Sequence, residues 1–167
     1  TIKPAAGVSP SITGSSATAL LVLNGADYVT IDGSNGSTTN TVCPAVAATR
    51  NLTMTNTNAG STSAVIWLQS VASPVNPATN NQVINCNLVG SSNTQTLFGV
   101  GSGSATIAAS SLGVGNINNR FVNNSVSKTQ YGIYSAGASS SNKNTGNVIH
   151  QNLLNAASPN NISVGGI

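Results

Sequence analysis

Asp27 and Asp32, His150, Cys43 and Cys86 are the whole stock of carboxylate, imidazole and thiol side chains in 167 residues. Each chemistry they could serve makes demands on number and spacing. A glycosidase needs two carboxylates facing each other across the scissile bond. A Ca²⁺-dependent lyase needs six to eight oxygen ligands, several of them carboxylates, and a basic residue to take the proton. Asp27 precedes a strand-like run and Asp32 ends it, which sets them about five residues and roughly 16 Å apart if the run is extended, beyond either glycosidase spacing. An Asp at a turn, before Gly33 in the case of Asp32, is the simpler reading of both. With one His, no multi-histidine metal site can form within one chain. No Gly-x-Ser-x-Gly turn presents a nucleophile. Gly99-Val100-Gly101-Ser102-Gly103 mimics a phosphate loop, but Ser104 stands where the last Gly belongs and no helix follows. The expectation is of no enzyme activity, no cofactor and no metal.

Cys43 and Cys86 form an even pair that an oxidising compartment would join in one disulfide. Cys86 also sits within an apolar run, where a buried free thiol packs well; both readings stand. Trp67, Tyr131 and Tyr134 could stack on sugar rings, with Phe98 and Phe121 nearby in type, yet each lies inside an apolar strand, which favours core packing. Thr53, Thr55 and Thr57 alternate like the flat Thr rows of ice-binding solenoids, but the row does not recur in the other repeats.

What must position these residues is a repeat. Asn81-Gln82-Val83-Ile84-Asn85-Cys86-Asn87-Leu88, Asn119-Arg120-Phe121-Val122-Asn123-Asn124-Ser125-Val126 and Gly146-Asn147-Val148-Ile149-His150-Gln151-Asn152-Leu153 share an Asn-flanked apolar pair followed by a further apolar residue. Arg50 to Asn56 is a weaker copy. A second short strand follows each: Ala64–Leu68, Leu97–Val100, Tyr131–Tyr134 and Ile162–Val164. The spacing, roughly 28 to 38 residues, is that of solenoid units, and no window keeps a helical apolar period. This predicts an all-β chain: a β-solenoid of about five coils with Val83, Phe121 and Val148 stacked inside, Asn-rich bends and protruding loops. Leu20–Leu23 and Tyr28–Ile31 add an earlier pair of strands. Asn85, Asn123 and His150 read as one row of bend residues, Asn87 and Asn152 as a second.

Composition agrees with a folded but nearly uncharged surface: 39% of residues are hydrophobic and 4% charged. The net charge of +3 comes from scattered Lys3, Arg50, Arg120, Lys128 and Lys143, which form no stripe for nucleic acid. The longest apolar run, Ala19 to Leu23, is strand-sized and predicts no membrane insertion.

Ile2-Lys3-Pro4-Ala5-Ala6-Gly7, Leu23-Asn24-Gly25-Ala26-Asp27-Tyr28-Val29-Thr30-Ile31-Asp32-Gly33 and Tyr131-Gly132-Ile133-Tyr134 resemble recurrent phrases of the right-handed parallel β-helix regions of large secreted proteins of Bacteroidetes-like bacteria. The resemblance covers nearly the whole chain. It implies a right-handed parallel β-helix, export and display at the cell surface, as one module among many and without a uniform activity. The expectation for 1–167 is a single domain, a segment or repeat unit of a fibre, with a structural or adhesive role. The alternative is a module that binds or processes surface glycans. Neither end carries a helix or polar cap in sequence, so head-to-tail association with copies of itself is expected as well.

Overall fold

The computed structural model describes residues 1–36, 49–155, 158 and 160–165. Among these there is no α-helix, and nearly all strand pairing is parallel. β1 (Ser11–Gly14), β4 (Leu52–Asn56), β9 (Cys86–Val89), β12 (Ser125–Ser127) and β15 (Leu153–Leu154) make one sheet, in that order. A second holds β2 (Ala19–Asn24), β5 (Ser63–Gln69), β10 (Thr96–Gly103) and β13 (Tyr131–Ser135); a third holds β3 (Thr30–Asp32), β8 (Gln82–Ile84), β11 (Arg120–Val122) and β14 (Val148–His150). The chain visits the first, second and third sheets in turn, then begins again one strand further along each. The exception is a small antiparallel hairpin, β6 (Val71–Ala72) with β7 (Val75–Asn76), inserted between the second and third sheets.

Successive passes through the third sheet are separated by 52, 38 and 28 residues. Insertions therefore leave the strands and lengthen only the connections, as backbone that must pair cannot be extended at will. The weak repeat copy at Arg50 is placed differently from the sequence expectation. Its strand, β4, pairs with β9 in the first sheet, and the true counterpart of Gln82–Ile84 is Thr30–Asp32.

Inside, like residues stack at strand spacing. Ile31, Val83 and Phe121 form one column; Met54, Leu88 and Val126 a second; Ile66, Val100 and Ile133 a third, all at most 1% exposed. Each such side chain contributes about 1.5–3 kcal/mol by leaving water. Val148 does not join them. It pairs with Arg120, and Ile149 takes the position above Phe121. A one-residue slip in register exchanges the two faces of a strand, so the misaligned repeat put the wrong neighbour inside.

The bends are columns of left-handed backbone. Tyr28, Asn80, Asn118 and Gly146 precede the third sheet, and Asn85, Asn123 and Gln151 follow it, all with φ between 52° and 69°. Asn tolerates this region through local side-chain bonding and Gly for want of a Cβ, whereas a bulky Tyr is strained there. Tyr28 is also 78% exposed, so its ring repays little of that strain. Tyr28→Asn is expected to raise stability by about 0.5–1 kcal/mol, read as a higher urea midpoint at unchanged slope. A lower midpoint would show that the exposed ring makes contacts worth more than the strain.

Candidate functional site

The densest polar cluster gathers around Asp32 at the end of β3. The carboxylate is fully buried, and every contact made to it is a donor: Lys3 Nζ at 2.9 Å and Ser34 Oγ at 3.0 Å on Oδ2, Asn85 Nδ2 at 2.7 Å and the Ser34 N–H at 3.0 Å on Oδ1. Burial pushes the carboxyl pKa up. The bonds from Asn85, Lys3 and Ser34 outweigh it and hold the group below the ordinary carboxylate range. From Asp32 the hydrogen bonds run across strands: Asn123 Nδ2 donates to Asn85 Oδ1 at 2.9 Å, and Arg50 Nη2 donates to Asn123 Oδ1 at 2.7 Å. Arg50 Nε also donates to the Asn123 carbonyl at 2.8 Å. The carboxylate at one end and the guanidinium at the other orient both amides in between, since only one flip of each satisfies its neighbours.

A carboxylate so saturated is a fixed anion and has neither a free lone-pair direction nor a proton to give. Asp27 lies elsewhere, its Oδ1 accepting from the Thr79 N–H at 2.8 Å and Oγ1 at 2.7 Å. Among the described residues the two carboxylates share no partner. Among the described residues, no three His, Cys, Asp or Glu side chains gather where they could hold a metal ion.

A folded-state pKa below the unfolded value makes Asp32 stabilise the fold above the unfolded pKa. That contribution is lost as pH falls through the folded one. The expected result is a denaturation midpoint that declines below about pH 4, with the decline much reduced in Asp32→Asn, which cannot titrate. Parallel pH profiles for the two proteins would show that folding leaves the Asp32 pKa where it is in the unfolded chain.

The other singled-out residues are distributed as follows. Asn85 and Asn123 share a column, but His150 does not: on β14 it pairs with Val122 of β11, and Gln151 holds the left-handed bend above Asn123. The buried Nε2 of His150 has no partner among the described residues. Asn87 and Asn152 also part. Asn87 stands between Thr53 and Ser125, donating to the Arg50 carbonyl at 2.9 Å, whereas Asn152 belongs above Asn124. Cys86 is a buried free thiol whose pKa burial pushes up to about 12, so it is a poor nucleophile. Cys43, and with it the disulfide expectation, lies outside the described residues.

Trp67 is fully buried in a second apolar cluster with Ala64, Leu97, Phe98 and Ile107. Its indole stacks on Phe98 at 5.5 Å and Tyr134 at 6.1 Å, and Nε1 donates to the Ser104 carbonyl at 2.9 Å. Gly101 and Gly103 are strand residues whose absent Cβ atoms make room for that indole: a Cβ would lie 2.2 Å and 2.7 Å from it. Tyr134 is tied down by its hydroxyl, bonded to the Ser111 carbonyl at 2.7 Å. Trp67 thus offers no open face to a sugar.

Sequence reasoning missed the ladders that join one pass to the next. Asn119 Oδ1 accepts the Asn81 N–H at 2.9 Å while its Nδ2 donates to the Ala78 carbonyl at 2.9 Å. Asn147 does the same to Asn119 and Asn116, Asn124 to Cys86 and Val83, and Asn152 to Asn124 and Phe121. Asn116 and Asn144 extend the pattern, their Oδ1 atoms accepting from Ala78 and Asn116. The side chains of Asn119, Asn124, Asn147 and Asn152 each clamp the preceding pass through one N–H and one carbonyl. The signal was present as Asn-x₂-Asn-x₄-Asn at 116, 119, 124 and again at 144, 147, 152.

No family model, curated protein or solved structure matches the chain.

Proposed function

We propose that the chain is a segment of a right-handed parallel β-helix that serves as a structural or adhesive module on the outside of the cell that makes it. The observation that carries this reading is where the polar chemistry goes. Asp32, Asn85, Asn123 and the ladder asparagines are buried and bonded to one another or to backbone, which specifies stacking and leaves little to act on a substrate. The repeated visit to three parallel sheets in fixed order supports the β-helix. The scarcity of charge supports a neutral, repetitive surface. Burial of Trp67 removes one of the three rings, with Tyr131 and Tyr134, on which the alternative of a glycan-binding or glycan-processing module rested; the two tyrosines are partly buried.

Antibodies raised against the purified chain are expected to label intact producing cells, and the chain is expected to leave neutral and acidic polysaccharides uncleaved with or without Ca²⁺. Label confined to permeabilised cells would overturn the surface role. Polysaccharide turnover would overturn the structural one.

A further inference from the structure

The first sheet turns Met54, Leu88 and Val126 inward, so strand alternation turns the residues on either side of them outward. Register lines those outward residues up across four passes. Ser11, Thr53, Asn87 and Ser125 form one column, continued by Leu153; Thr13, Thr55, Val89 and Ser127 form a second. In residue order only Thr53 and Thr55 stand out as a row, because the connections between passes differ in length. No charged or aromatic side chain stands in either column. Ser11 and Thr13 are exposed, and the members from the later passes are half-exposed between neighbours above and below. The Ser11 and Thr13 hydroxyls lie 3.2 Å apart, and Thr53 Oγ1 accepts from Asn87 Nδ2 at 3.4 Å. Among the described residues the hydroxyls of Thr55, Ser125 and Ser127 bond to no protein atom, so they are left to water. The other sheets differ. The outer column of the third is Thr30, Gln82, Arg120 and Val148, with long and charged side chains, and the second carries Trp67, Phe98 and Tyr134. A composition rich in Ser and Thr would by itself have spread small hydroxyls over all three.

We infer that the outer face of β1, β4, β9 and β12 binds ice. Strand pairing sets neighbours about 4.8 Å apart up each column, and two residues along a strand set the columns roughly 6.6 Å apart. These distances are comparable to the oxygen repeats on a prism face of hexagonal ice, so water held at successive hydroxyls falls near successive lattice positions. Each hydroxyl offers one donor and two acceptors and rotates to suit. The methyl groups of Thr13, Thr53, Thr55 and Val89 bind no water and leave the molecules around them to bond with one another. A charged group would hold its hydration shell in a geometry the lattice does not share. A crystalline polysaccharide is the poorer occupant, since sugar faces pack on exposed rings and this face has none. The inference goes beyond the structural or adhesive reading: it needs neither export nor end-to-end stacking, and further passes only lengthen the face.

Ice affinity of the purified chain is the test. An ice crystal grown slowly in its solution is expected to take up the chain, where a protein without affinity is pushed ahead of the front into the liquid. Thr55→Tyr sets a bulky ring in the middle of the face at a strand position that suits Tyr, with folding checked by circular dichroism. It is expected to be excluded from the ice. Ser127→Tyr repeats the test in the same column and decides the matter if Thr55→Tyr does not fold. Thr30→Tyr, in the outer column of the third sheet, is expected to enter the ice like the unmodified chain. Exclusion of the unmodified chain overturns the inference, as does uptake of Thr55→Tyr and Ser127→Tyr or exclusion of Thr30→Tyr. So does a dimer of the unmodified chain that Thr55→Tyr dissociates, since a second copy would then cover the face. Labelling of intact cells reads the surface role separately from all of these.

Discussion

Asn119→Ala is expected to cost about 2–4 kcal/mol, because it strands two buried backbone groups at once, the Asn81 N–H and the Ala78 carbonyl, each worth about 1–3 kcal/mol when left unpaired. Asn119 is fully buried, so water cannot readily stand in for the lost amide. Asn147→Ala provides the control. It removes the same two kinds of bond one pass later, but from a partly buried position at the edge of the third sheet, where water replaces much of what is lost. Its expected cost is about 1 kcal/mol or less. Urea midpoints of the two variants measured side by side decide the matter. Equal midpoints would mean that the ladder is decoration on a stack held by its apolar columns alone.

The second large effect is expected at Trp67, the one tryptophan of the chain. Trp67→Ala removes a fully buried indole from between Phe98, Tyr134 and the glycine floor of β10, and large-to-small changes of this kind cost about 3–5 kcal/mol. The floor cannot rise to fill the gap, as Gly101 and Gly103 have no side chains to send into it. The measurement is equilibrium unfolding followed by circular dichroism, with a glycan array run on the same two proteins. Loss of binding to one sugar class at unchanged stability would reverse the assignment and make Trp67 a recognition residue. In the native protein the same burial predicts tryptophan emission at short wavelength, with a red shift on unfolding.

Much of the architecture was legible from residue order. Short β-branched runs divided by Gly, Asn and Ser exclude helices by period alone, and the sequence repeat marks which runs are equivalent. Ala64–Leu68, Leu97–Val100 and Tyr131–Tyr134, grouped from their pattern, lie side by side in the second sheet. The repeat failed where it had to be aligned to the residue. Starting the last copy at Gly146 instead of Asn147 moved His150 into a bend and Val148 into the core, and it hid the 28-residue spacing of the ladder. Apolar pairs such as Val83-Ile84 and Val148-Ile149 do not say which member faces inward, since both neighbours of a short strand carry bulk.

The polar cluster was less visible still. Asp32 lies one position before the column of Asn85, opposite Ile84 in register, and meets the Asn85 amide only because the chain bends between them. At the two ends of the cluster, Lys3 lies 29 residues from its partner Asp32 and Arg50 lies 73 from its partner Asn123. No local pattern encodes such meetings, which depend on how many residues each pass inserts between strands. What the sequence by itself determined was composition-level chemistry and strand period: two carboxylates and one imidazole are the whole stock of such groups that a site in these residues could draw on, and alternation that repeats makes sheets that stack. Only the tertiary structure decided register, and register decides everything that depends on a side chain's direction. A slip of one residue turns every side chain of a strand to the opposite face. Backbone pairing across passes therefore chose which asparagines became ladder rungs, which became bends, and which aromatic ring was closed away from any ligand.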